Sequence, residues 1–94
     1  MYGTVATLRV KPGMESQLQA EMRTYEALNV PGLKATYVYR SDADPNTYIM
    51  AVMFESRESY RANAESPEQD ARYQQMLTML QAPPEWRDGE IVYP

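Results

Sequence analysis

The order of hydrophobic patterns along the chain predicts an α+β protein, a four-stranded antiparallel sheet with its helices on one face. Three observations carry the prediction. Four short segments alternate apolar and polar side chains or concentrate β-branched and aromatic residues, at 2–10, 34–40, 47–55 and 86–93. Helical stripes fall between them, giving the order βαββααβ, which right-handed crossovers fold into the split βαβ, ferredoxin-like arrangement. At 94 residues the chain has material for one domain only, over 1–94.

Residues 2–10 form the first predicted strand, closed by the turn residues Lys11-Pro12-Gly13. From there Met14, Leu18, Met22, Tyr25 and Leu28 step by four, four, three and three, one stripe of a 3.6-residue helix that Pro31-Gly32 ends. Strands at 34–40 and 47–55 flank the polar loop Ser41-Asp42-Ala43-Asp44-Pro45-Asn46. Ser56 can cap a short helix over 57–64. Ser66-Pro67-Glu68-Gln69 starts another, with Ser at the N-cap, Pro at N1 and Gln at N3 to return a hydrogen bond. The stripe of this second helix is Tyr73, Met76, Leu77 and Leu80, before Pro83-Pro84. The last strand, 86–93, is expected to carry a bulge or tight turn at Asp88-Gly89.

In the third strand Tyr48, Met50, Val52 and Phe54 share one face, while Ile49, Ala51 and Met53 share the other. Both faces therefore want cover. The helices can supply one, and a chain this short leaves only a second copy for the other, so a homodimer with sheets face to face is expected rather than a monomer with an open apolar face.

Composition narrows the chemistry. No histidine and no cysteine occur, which sets aside disulfides, thiol nucleophiles, Cys/His zinc sites, imidazole bases and histidine-ligated haem. A net charge of −4 with scattered basic residues argues against nucleic acid and against an acidic membrane surface. No apolar run spans a bilayer and the start of the chain lacks the pattern of a signal peptide, so a cytoplasmic location is expected. Asp42, Asp44 and Asn46 begin like a calcium loop, but Thr47 stands where its glycine belongs and Met53 where its glutamate belongs, so Asx turns are the better reading. No nucleophile-elbow, dinucleotide-binding or P-loop spacing is present.

Eight tyrosines against one phenylalanine suit a pocket for an aromatic ligand, although tyrosine also fills half-buried strand positions. Seven methionines suit an adaptable core or a tolerant pocket. Tyr60, Arg61 and Asn63 share the short helix, where a cation and an amide can steady a developing oxyanion. The plainer readings are a solvated surface arginine and a helix C-cap asparagine.

Val10-Lys11-Pro12-Gly13-Met14-Glu15, Val30-Pro31-Gly32-Leu33, Tyr39-Arg40-Ser41, Phe54-Glu55-Ser56-Arg57-Glu58-Ser59-Tyr60-Arg61-Ala62 and Ser66-Pro67, in that order, resemble the antibiotic biosynthesis monooxygenase (ABM) domain over nearly the whole chain. The resemblance implies a dimeric α/β barrel of two ferredoxin-like protomers, each with a pocket between sheet and helices. It also implies an activity drawn from a set that includes cofactor-independent oxygenases of polycyclic phenols and haem-degrading enzymes. Phe54 stands where many relatives carry tryptophan and Asn63 where many carry histidine, and the absence of histidine removes the usual haem ligand.

The expectation is therefore a homodimeric, cofactor-independent monooxygenase of a phenolic or quinol-type molecule, with no cofactor and no metal. Tyr37, Phe54 and Tyr60 are expected to bind the small aromatic substrate. Asn63 is expected to donate a hydrogen bond, Tyr73 to complete the catalytic wall, and Arg61 to stabilise charge. The alternative is a non-catalytic dimeric small-ligand binding or accessory module. An isomerase or lyase on the same barrel would need a proton shuttle that the sequence does not offer.

Overall fold

The computed structural model describes all 94 residues, Met1 to Pro94. Its elements run β1 (Tyr2–Arg9), α1 (Glu15–Glu26), β2 (Leu33–Arg40), β3 (Thr47–Phe54), α2 (Arg57–Ala64), α3 (Pro67–Leu77) and β4 (Glu85–Glu90). The strands form one sheet in the order β2-β3-β1-β4, every neighbouring pair antiparallel, which is the ferredoxin-like topology expected from the element order.

Register fixes which side chains face the helices. Leu8 pairs with Tyr48, Ala6 with Met50, Thr4 with Val52 and Tyr2 with Phe54, and all of these lie on the helix side. Ala6, Leu8, Val10, Leu18, Tyr48, Met79 and Leu80 make the buried core, with Met14, Met22, Val38, Met50 and Met76 packed against it. The helices sit loosely on this floor. Leu18 of α1 is the one fully buried helical side chain, and α2 and α3 bury none. The space that they leave over the Thr4–Val52–Thr36 row is the cleft described below.

Local chemistry accounts for the element ends, with four departures from the sequence pattern. Helix α1 stops at Glu26, short of Leu28, because Asn29 takes a left-handed conformation at φ 52° and turns the chain before Pro31. At Ser66 the side chain accepts from the Gln69 amide, but Gln69 Oε1 does not return the bond, because the Arg72 guanidinium occupies it. A reciprocal capping box forms instead at Ser56 and Ser59. Helix α3 ends at Leu77 and not at Leu80. From there the chain runs along the end of β1, with Lys11 N–H donating to Met79 and Gln81 N–H to Arg9. Strand β4 ends at Glu90, opposite Tyr2, where its partner strand begins, and Gly3 faces Gly89 in regular register without a bulge. Asp44 accepts from Asn46 N–H at 3.0 Å and from the Thr47 hydroxyl at 2.9 Å, the Asx turn expected of this loop.

Gly32 is required where it stands. Its φ is +79°, and a Cβ there would lie 2.5 Å from Ser59 Cβ, inside the capping box that starts α2. The face of the sheet away from the helices carries Tyr37, Tyr39, Val5, Ile49, Ala51 and Met53. No helix is long and apolar enough to cross a membrane.

Candidate functional site

A cleft of about 780 Å³ lies between the helix side of the sheet and the three helices. Its floor is the inner row of the strands, with Val38, Met50, Val52 and Phe54 among its side chains. Helix α1 contributes Met22 and Tyr25, α2 Tyr60 and Asn63, α3 Arg72, Tyr73 and Met76, and β4 Trp86 and Asp88.

Aromatic rings shape its walls. Tyr60 packs edge-on against Phe54, with centroids 5.5 Å apart and planes at 81°, and lies 5.2 Å from Tyr2. Phe54 itself is only 1% exposed, so it supports the floor more than it meets solvent. Tyr73 and Trp86 lie 6.3 Å apart and join α3 to β4. Rings placed in this way give a flat apolar ligand faces to stack on.

The polar groups are tied to one another. The Tyr60 hydroxyl donates to Asp88 Oδ1 at 2.9 Å. Burial first, then the bond to Asp88 and its negative charge, push the Tyr60 phenol up to about 12, so at neutral pH it is a proton donor and never a base. Across the cleft Asn63 Nδ2 donates to the Tyr25 hydroxyl at 3.4 Å, and the Arg72 guanidinium stacks 4.9 Å above the Tyr25 ring. Burial raises the Tyr25 phenol, outweighing the opposite pull of Asn63 and of the Arg72 charge. Two hydroxyls on the floor, Thr4 and Thr36, are buried without a hydrogen-bond partner, on either side of Val52 in the register.

The structure brings Phe54, Tyr60, Asn63 and Tyr73 to one cleft, and leaves Arg61 and Tyr37 outside it. On α2 the cleft-facing residues are Tyr60, Asn63 and Ala64, spaced i, i+3, i+4; Arg61, one step round the helix, is exposed. Tyr37 falls in the odd phase of β2 with Ala35 and Tyr39, is 65% exposed, and belongs to the open face of the sheet. The cation that the cleft does hold at a half-buried position is Arg72. Thr4 and Thr36 also line the cleft, at positions where the sequence pattern points to no site residue. Their signal was a polar residue in the apolar phase of a strand, beside Ala6 and Leu8 in β1 and Val38 in β2.

A four-stranded antiparallel sheet with its helices on one face and an aromatic-walled cleft beneath them places the chain in the α+β, ferredoxin-like class. Residues 1–75 match the family model described as antibiotic biosynthesis monooxygenase, and the chain belongs to that family. Trp86 and Asp88, on β4, lie beyond the matched residues. Among solved structures the chain is similar to SnoaB, a cofactor-independent oxygenase from Streptomyces nogalater, in its N63A mutant form. That match has a TM-score of 0.85 at 13% identity over 99% of this chain and 94% of that one. It is also similar to a conserved protein from Methanosarcina mazei Go1, with a TM-score of 0.82 and 18% identity over 94% of this chain and 89% of the other. At these identities the likeness shows the fold. No curated protein sequence matches the chain.

Proposed function

We propose that the chain is a cofactor-independent monooxygenase that acts, as a homodimer, on a phenolic or quinol-type molecule held in the cleft. The observation that carries this reading is the convergence of aromatic walls from sheet and helices with the hydrogen-bond donor of the Asn63 amide, in a chain of this family. The substrate supplies the electrons. A phenol loses its proton, and the ring carbon para to the oxygen forms a bond to O₂. The resulting peroxide anion takes up a proton to give a hydroperoxide, whose O–O bond breaks as the para C–H proton leaves. One oxygen stays as a quinone carbonyl and the other departs as water. The walls orient the ring and exclude water, while Asn63, whose amide has a second N–H beyond the one aimed at Tyr25, supplies a donor for the developing negative charge.

The test is O₂ uptake by purified protein with a panel of dihydroxyaromatics that carry hydrogen para to a hydroxyl. The reading expects uptake stoichiometric with quinone, and about a hundredfold to thousandfold lower kcat in Asn63→Ala, the scale of losing one oxyanion donor, with a further loss in Tyr73→Ala. Unchanged turnover in both variants contradicts this site. A specific observation favours the non-catalytic alternative: Tyr60 is no base and Asp88 is already engaged by it. Tight binding of an aromatic ligand with no O₂ uptake across the panel selects that alternative.

A further inference from the structure

We infer that Arg72 is an anion subsite of the cleft, built to take the carboxylate or phenolate oxygen of a flat aromatic ligand. Three features of the side chain argue for it together. Arg72 is half-buried among the cleft residues, whereas Arg23 and Arg40, the other cations that line it, are exposed. Its guanidinium is locked in place, with the Tyr25 ring 4.9 Å below it and Nε and Nη2 both donating to Gln69 Oε1 at 3.2 and 3.0 Å. All of these partners are neutral, and the one ion pair in the structure joins Arg87 to Glu85, far from this cluster in the sequence.

A partly desolvated charge without a counter-ion is costly, and an anion that arrives against it recovers that cost. Nη1 and the second hydrogen of Nη2 remain free to donate. Because the fork is held beforehand, little rotamer freedom is lost when the ligand binds. The Arg72 charge already favours the ionised form of the Tyr25 phenol beside it, although burial wins there, and it acts in the same sense on any phenol oxygen that approaches. The sequence supports the same local construction: Gln69 and Arg72 are three apart on α3, on one helical face, which is why the glutamine leaves the N-cap to hold the arginine. Glu21, Glu26, Asp70 and Asp88 also line the cleft and the chain carries a net charge of −4, so a preference for an anion is not a property of the overall field.

This inference rests on the proposed reading only in placing an aromatic ligand in the cleft; it needs no turnover. The experiment is calorimetric titration of 2-naphthoate and its neutral isostere 2-naphthamide into wild type, Arg72→Gln, Arg72→Lys, Gln69→Ala and Arg61→Gln, each checked for folding by circular dichroism. Wild type is expected to bind naphthoate about tenfold or more tighter than naphthamide, the scale of a hydrogen bond to a charged group. R72Q loses that preference and keeps its affinity for naphthamide. R72K and Q69A keep part of it, and R61Q keeps all of it. Equal affinities in wild type, no binding of either compound, or a preference that survives in R72Q each overturn the subsite. An intact, Arg72-dependent preference in a protein that consumes no O₂ overturns the oxygenase reading alone.

Discussion

Tyr60 shows how one side chain acquires a fixed role from its surroundings. Its ring is held by Phe54 and Tyr2 and its hydroxyl by Asp88, so the phenol is kept neutral far above the usual tyrosine range. A folded-state pKa of about 12 against 10.0 for a free tyrosine means that the folded chain holds this proton where the unfolded chain has lost it. The contribution to stability is complete below pH 10 and is lost as the pH rises through 10 to 12. Asp88→Asn removes the charge and the ionic acceptor, leaving burial as the main cause, so the Tyr60 titration moves back toward 10. Absorbance titration of tyrosinate in wild type and D88N checks this; an unmoved transition contradicts the assignment. At this scale the sequence was legible where helical phase decided the matter. Tyr60, Asn63 and Tyr73 could be placed from spacing. Arg61 was not, because on a two-turn helix a single step round the axis exchanges cleft for solvent, and Arg72 was hidden by the reading of Gln69 as a capping residue.

Strand β3 carries the most information among the elements. Its alternation put Tyr48, Met50, Val52 and Phe54 under the helices and Ile49, Ala51 and Met53 on the other side, as the register confirms. Tyr37 lies outside the cleft because a strand places neighbours on opposite faces, and only the β2–β3 register, with a shift between Leu33 and Ala35, decides which face is which. Helix ends were legible where serine caps them and not where backbone bonds to β1 draw the chain away, as after Leu77. The open face, with Tyr37 and Tyr39 at 65% and 60% exposed beside Ile49, is the surface that we propose pairs two copies. Ile49→Asp places a charge in the middle of it. Sedimentation equilibrium should give the mass of two chains for wild type and of one for I49D; a monomeric wild type contradicts the pairing.

On the scale of the whole molecule, the distribution of packing makes the cleft. The core gathers around Leu8, Val10, Tyr48 and Leu80, and the helices that bury so little leave the row of Thr4, Val52 and Thr36 roofed by aromatic rings with space beneath. Length and topology were legible because they follow from pattern, whereas a cavity is a difference between surfaces that no single residue announces. The single tryptophan, Trp86, stands in the cleft wall 6.3 Å from Tyr73 and reports directly on occupancy. Titration of its fluorescence with 1,4-dihydroxynaphthalene under anaerobic conditions therefore tests the central claim that this cleft is the working site. The account predicts saturable quenching at one ligand per chain. Binding detected by calorimetry that leaves Trp86 fluorescence unchanged would contradict it.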